Sequence, residues 1–309
     1  MTSDPWRSFS VSTTSLARTE AASLQGMAMG IGAYTLFAVH DALIKGIIHD
    51  LPAVQILFAR SVVIMTLCMI AGRGLMLNRV WASPNRLMIL GRGLLTLAAW
   101  VMYYSAGRDL QLAEMTTLYY LAPVLTTVLA VIFLKEGLTL ARVGAASIGF
   151  FGVVVAADPG DFTLSLPVIL VLLAAFCWAV AMILMRTISK SESALVQVYA
   201  QNLIHALAMG AVSLPFWQGM TGTQIAFCLA AGLVGGLAQF VLVEAAKLVP
   251  ASVLGTVEYG ALIWAFVFGY MFWAEMPLLN VYLGAALVIV AGSALAWTEH
   301  RSRREQMRR

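Results

Sequence analysis

Charge is scarce in this chain. Asp, Glu, Lys and Arg make up 11% of its 309 residues, where a soluble domain carries about 25%. So few charges cannot cover a globular surface in water, and an ordinary soluble domain is excluded. The hydrophobic share is 61% and the mean hydropathy +0.87. At roughly 20 residues per helical span, the length holds about ten spans with short loops and leaves no room for a soluble catalytic domain.

Cysteine is nearly absent. Cys68, Cys177 and Cys228 stand singly in apolar runs without metal spacing. They predict neither a disulfide nor a metal site and read as small packing residues. A Gly-rich loop ending in Lys-Ser/Thr is lacking, which excludes a P-loop ATP drive, and so is His-Glu-x-x-His. The basic excess, a net charge of +4, is spread over loops and gathered between Arg301 and Arg309 rather than forming a nucleic-acid surface. No catalytic residue, metal, cofactor or nucleic-acid partner is expected.

What is present is a series of apolar runs. They predict helices over 24–47, 53–72, 87–107, 112–134, 140–157, 165–187, 194–215, 224–246, 251–272 and 279–298. Asp158-Pro159-Gly160-Asp161 marks a turn. Pro52, Pro84, Pro250 and Pro277 stand at helix starts, where a missing N–H costs nothing. Residues 1–23 lack the order of a signal peptide and read as a flexible cytoplasmic tail; 299–309 read as a basic cytoplasmic tail. An even number of spans puts both termini on one side. With that side cytoplasmic, all of the 19 Lys and Arg except Lys45, Arg108 and Arg60 fall on it, as the positive-inside rule requires.

The chain repeats itself. A shift of 139 residues lays Ala106-Gly107-Arg108 on Ala245-Ala246-Lys247, Thr117 on Thr256, Tyr120 on Tyr259 and Glu136 on Glu275. A shift of 141 lays Phe37 on Trp178, Ala38 on Ala179 and Lys45 on Arg186. Residues 24–157 and 165–298 therefore correspond. Each half has an odd number of spans, so the second enters the membrane from the opposite side. The expected fold is an all-α membrane protein of ten transmembrane helices, arranged as two inverted five-helix repeats.

The residues then match a known pattern. Residues 106–116 read Ala-Gly-Arg-Asp-Leu-Gln-Leu-Ala-Glu-Met-Thr; Leu121-Ala122-Pro123, Leu134-Lys135-Glu136, Gly144 and Gly149-Phe150-Phe151-Gly152-Val153 follow. Glu275, Gly284 and Gly292 repeat the pattern, with Leu262 where the first half has Pro123. The chain resembles the EamA type of the drug/metabolite transporter superfamily. Phe37, Asp41, Lys45, Arg60, Arg92 and Glu258-Tyr259 resemble a bacterial subgroup that includes uptake carriers for riboflavin and S-adenosylmethionine. The resemblance implies a multi-pass protein of a bacterial inner membrane with a central pathway. It places helices five and ten at the periphery, often as a homodimer contact.

A charge at mid-bilayer costs on the order of 3 kcal/mol, so each one needs a reason. Asp41 and Lys45 share a face of the first helix. Arg60 lies at similar depth on the second, which predicts an Asp41–Arg60 ion pair, either a lock or a gate. Glu258, in span nine, must face a wet cavity or a base such as Arg92 or Lys247. His205, Asn202 and Gln239 lie near the centres of spans seven and eight, beside Gly235-Gly236. They read as interhelical hydrogen bonds or as a proton path. Trp100, Tyr103, Tyr104, Tyr119, Tyr120, Trp178, Tyr259 and Trp264 recur near the midplane, as walls for a solute or as packing. Glu136 and Glu275 are expected to cap helix N-termini.

The expected function is a secondary transporter moving a small organic metabolite (a vitamin, amino acid or nucleoside-like solute) by alternating access. The alternative is a membrane-embedded enzyme acting on a lipid or prenyl substrate, which would need clustered acids, His or Cys near one interface. A channel would want a ring of like residues or a carbonyl filter, and neither is marked.

Overall fold

The computed structural model describes residues 13–135, 140–157 and 165–307. The N-terminal half contains α1 (Thr13–Lys45), α2 (Ala53–Ala71), α3 (Met76–Ala82), α4 (Arg86–Ala106), α5 (Leu112–Tyr119), α6 (Leu121–Leu134) and α7 (Leu140–Ala157). The C-terminal half contains α8 (Leu166–Ile188), α9 (Ala194–Ser213), α10 (Gly222–Leu248), α11 (Ala251–Glu258), α12 (Gly260–Trp273) and α13 (Leu279–Met307). No strand occurs among the described residues. Glu136 and the expected turn at 158–161 lie outside them.

Eight segments are long and apolar enough to cross a membrane: α1 from Leu24, α2, α4, α5 with α6, α8, α9, α10, and α11 with α12. Val143–Ala156 in α7 and Leu279–Ala294 in α13 are shorter apolar stretches. The outward side chains on these helices are apolar, among them Leu87, Phe133, Leu207 and Leu233. That is a surface made for lipid, where every backbone group must be satisfied within a helix. The stretch between the second and third spans holds a helix the sequence reading missed. In α3, Leu77 and Trp81 are exposed beside Arg79 while Met76 is buried, the pattern of a short interfacial helix.

Contacts between loops sort into two ends. At one end Lys45 pairs with Glu275 at 2.7 Å. There Arg108 donates to the Leu51 carbonyl, and the Gln55 amide exchanges hydrogen bonds with the Gln218 backbone. At the other end Ser83 donates to Glu192, and Asn85 to Ser191. These described connections fall at the ends that up-and-down crossing requires.

The two halves are oppositely threaded. Gln55, at the start of α2, meets Gln218, just past the end of α9. Asn280, at the start of α13, donates to Ala156 at the end of α7. Within each pair the helices are equivalents from the two halves, and each pair runs antiparallel. The remaining packing obeys the same exchange: α1 lies on α10 as α8 lies on α4. α7 and α13 approach closely at glycines. A Cβ built on Gly284 would stand 2.4 Å from the Gly152 carbonyl oxygen.

Candidate functional site

Spans four and nine cover Leu112–Leu134 and Ala251–Trp273, as the sequence predicts, but their helical hydrogen bonding is not uniform. Each carries an irregular turn near its middle, between α5 and α6 at Tyr120 and between α11 and α12 at Tyr259. In the first half the cause is Pro123. Its missing N–H would have bonded the Tyr119 carbonyl, and its ring crowds that group. In the second half Leu262 replaces the proline. There Leu262 N–H turns back to the Tyr259 carbonyl at 3.2 Å, a tightened turn after the weak helix former Gly260.

The two irregular turns face each other. The Tyr120 hydroxyl donates to the Glu258 carbonyl at 3.0 Å, filling an acceptor that the end of α11 leaves open. The Tyr120 and Tyr259 rings lie 5.3 Å apart. The Tyr34 hydroxyl, from α1, donates to the Glu258 carboxylate at 3.1 Å. Irregular backbone at membrane depth is tolerated where it is buried in protein or lines a cavity, and here it does both.

A partly open cavity, about 550 Å³ with the space at its mouth, lies beside these turns, between α1, α4 and α5 of one half and α8, α11 and α12 of the other. Its charged lining groups are Asp41 and Glu258. Trp100, Tyr103, Tyr119 and Trp178 form walls, with Tyr34, Phe37 and Tyr120 beside them. The rings brace one another edge to face. Trp100 and Trp178 centroids are 6.2 Å apart at 75°, and Tyr103 and Tyr119 are 5.1 Å apart at 65°. Such contacts hold ring orientation beyond simple burial. A narrow second cleft shares Asp41 and Tyr103 and continues towards Lys45 and Gly107.

The expected Asp41–Arg60 ion pair does not form, because His40 stands between the two. Arg60 Nη1 donates to His40 Nε2 at 2.9 Å, and His40 Nδ1 lies 3.1 Å from Asp41. Arginine has no acceptor, so Nε2 accepts and Nδ1 carries the proton given to Asp41. Arg60 is fully buried. Its guanidinium sits 4.5 Å from the Trp100 ring centroid and 5.6 Å from that of Tyr104, where a desolvated cation–π contact contributes about 2 kcal/mol. Gly235 of α10 makes room for this relay, since a Cβ there would fall 2.7 Å from the His40 ring.

Lys45 pairs with Glu275 instead, and also donates to the Leu110 carbonyl at 3.0 Å. The same carboxylate accepts from Leu112 N–H at 2.8 Å, so Glu275 caps the N-terminus of α5, in the other half of the chain. Ala274 makes this possible. Its left-handed conformation, φ 50°, ends α12 and turns Glu275 back, with Glu275 N–H on the Gly269 carbonyl. Lys45→Met is expected to destabilise the fold by about 3 kcal/mol, because Glu275 is left buried without its partner. Lys45→Met with Glu275→Gln keeps an acceptor for Leu112 and should recover most of that loss. Thermal denaturation in detergent checks this; a double variant no more stable than the single one overturns the pairing.

Of the residues the sequence singled out for a pathway, Trp100, Trp178, Tyr119, Tyr120 and Glu258 line the cavity together with Asp41. Asn202, His205 and Gln239 do not. Asn202 donates to Gln239 at 2.7 Å, joining α9 to α10. His205 Nε2 lies 3.1 Å from Thr96 Oγ1 and 3.2 Å from the Gly93 carbonyl, joining α9 to α4. These are interhelical ties. Tyr259 is buried against Gly292. Trp264 is partly exposed and stacks on Phe268 at 5.4 Å. The sequence reading left out Tyr34 and the bridging role of His40. The spacing Tyr34, Phe37, Ala38, Asp41, Lys45 on α1 was the available signal, since residues three and four apart share one helix face.

The opposed halves, the irregular turns and the cavity between them define a multi-pass membrane protein built from an inverted repeat. Residues 24–157 and 165–297 each match the EamA-like transporter family, and the chain belongs to that family. It is 25% identical over 187 residues to an S-adenosylmethionine uptake transporter of Rickettsia felis, a match covering 60% of this chain and 64% of that protein. It is 24% identical over 278 residues to a pseudopaline exporter of Pseudomonas aeruginosa, covering 89% of this chain and 96% of the other. It is 27% identical over 188 residues to a riboflavin transporter of Vibrio cholerae, covering 60% and 63%. The chain thus spans just under two thirds of the first and third of these relatives. A crystal structure at 19% identity superposes with a TM-score of 0.69 over 90% of this chain and 98% of that one, which shows the shared fold.

Proposed function

We propose that the protein is a carrier moving a small organic metabolite across a bacterial inner membrane by alternating access, with the larger cavity as its solute site. One observation carries this reading: the cavity lies on the seam between oppositely threaded halves, where spans four and nine each carry an irregular turn. Opposed repeats make two mirror-related states accessible, and rocking one half on the other exposes a seam site to each side in turn. Basic-residue placement supports cytoplasmic termini. Lys45 and Glu275 then bar the outer end, and the narrow cleft behind them is the way to it.

The test is a thermal-shift screen of metabolites on detergent-solubilised protein, followed by flux into liposomes. A ligand of the folded state raises apparent stability with the logarithm of its concentration over its dissociation constant. Saturable flux of a hit is the expected result. Folded protein that moves no solute across a broad panel sinks the reading, and chemical turnover of a lipid without flux would favour the enzyme.

A further inference from the structure

We propose that the solute site selects organic cations: an aromatic or similarly compact solute carrying positive charge, held against the ring walls with its charge near Glu258. This rests on the carrier reading and names the class of solute that the same cavity takes.

The lining has an unbalanced charge. Asp41 and Glu258 face the cavity, and no Lys, Arg or His is among the residues that line it. Glu258 is 4% exposed, and among the described residues no base stands within ion-pair distance of it. Its carboxylate accepts from the Tyr34 hydroxyl at 3.1 Å and stands beside the Trp178 indole. A buried acid in lipid is costly and ordinarily faces a partner or a wet pathway. Here the missing partner is a cation that comes and goes.

The nearby bases are already engaged. Lys45 is held by Glu275 and the Leu110 carbonyl. Arg60 donates a hydrogen bond to His40 and lies against Trp100, 4.5 Å from its centroid, without lining the cavity. Arg60 also decides where the charge of a solute sits. A cation at Trp100 would meet the guanidinium across one ring, whereas at Trp178, Tyr119 and Glu258 it meets ring faces and a carboxylate. Aromatic faces attract cations through their quadrupole, most strongly when water is excluded. An anion in the same place would face two carboxylates with no compensating base. A neutral solute would gain at most a hydrogen bond from either acid.

The probes are three compounds of one shape: N-methylquinolinium, quinoline and quinoline-4-carboxylate, titrated calorimetrically into the full-length protein in detergent at neutral pH. N-methylquinolinium should bind about tenfold or more tighter than quinoline, the span of a desolvated cation–π and carboxylate contact. The carboxylate should not compete with it. Asp41→Asn with Glu258→Gln should shrink the preference for the cation over quinoline to less than about threefold. Should the double variant fail to fold, the wild-type series decides alone. Equal affinity for the cation and quinoline, a preference for the carboxylate, or no binding of the cation at millimolar concentration overturns the proposal. Liposome flux separates the two readings. Saturable flux of neutral or anionic solutes without cation preference leaves the carrier and removes the selectivity. Cation binding by a folded protein that moves nothing does the reverse.

Discussion

Glu258→Gln is expected to abolish solute-dependent stabilisation and to cut flux by ten- to hundredfold while the protein stays folded. The substitution keeps the shape of the side chain and an oxygen able to accept from Tyr34. It removes only the charge. A hydrogen bond or contact to a charged group contributes about 1.5–3 kcal/mol, which corresponds to that range of affinity. Folding should not suffer, because no base among the described residues depends on Glu258. Replacing a buried ionisable side chain by a neutral amide does not add to the cost of burying it in the membrane interior. The melting temperature without solute should therefore hold or rise. A folded Glu258→Gln protein that binds and moves its solute as before would place the site elsewhere.

Gly284→Leu is expected to prevent stable folding, and its counterpart Gly144→Leu to leave the protein intact. The sequence treats these two glycines alike, as matching positions of the repeat. The structure does not. A Cβ on Gly284 would stand 2.4 Å from the Gly152 carbonyl oxygen, 2.7 Å from Ala156 Cβ and 2.9 Å from Ala156 N. These are backbone and near-backbone atoms that cannot swing aside, so α7 and α13 must separate. Overpacking by a single methyl group costs about 1–3 kcal/mol, and leucine adds three more carbons to that clash. A Cβ on Gly144 meets nothing within 4 Å, and its face is turned to lipid. Yield of monodisperse protein and thermal unfolding in mild detergent check both variants. Equal tolerance of leucine at both positions would contradict the α7–α13 contact.

Much of the fold was legible because lipid imposes one rule at all positions: apolar outside, helical throughout. The nearly constant offsets, 139 for Tyr120 on Tyr259 and 141 for Lys45 on Arg186, exposed the repeat, and parity alone then dictated opposite threading. The irregular turns in spans four and nine were harder to see. Pro123 was visible, but a proline within an apolar run bends some helices and stops others, and the second half has no proline to match it. Charge pairing was least legible. Depth along the helices placed Asp41 and Arg60 side by side, yet depth gives no rotation, and His40 came between them. Lys45 found its acid in Glu275, 230 positions away in sequence, a partner that becomes visible only once the halves are docked. Asn202, His205 and Gln239 were recognised as buried polar groups, but whether such groups face a cavity or a neighbouring helix depends on helix rotation.

Consider finally what two irregular turns do to the mechanics of the protein. An unbroken helix is a stiff rod, and tilting one end of it displaces the other. Spans four and nine each carry a local irregularity at a tyrosine, and the two irregular turns are tied by Tyr120 on the Glu258 carbonyl. Torsion at residues 119–120 and 258–259 can therefore swing α5 or α12 while α6 or α11 stays in register with its neighbours. The deformation that opens one face would be confined to a few backbone bonds. Amide deuterium uptake should accordingly rise first at these two mid-membrane positions, ahead of the flanking helices.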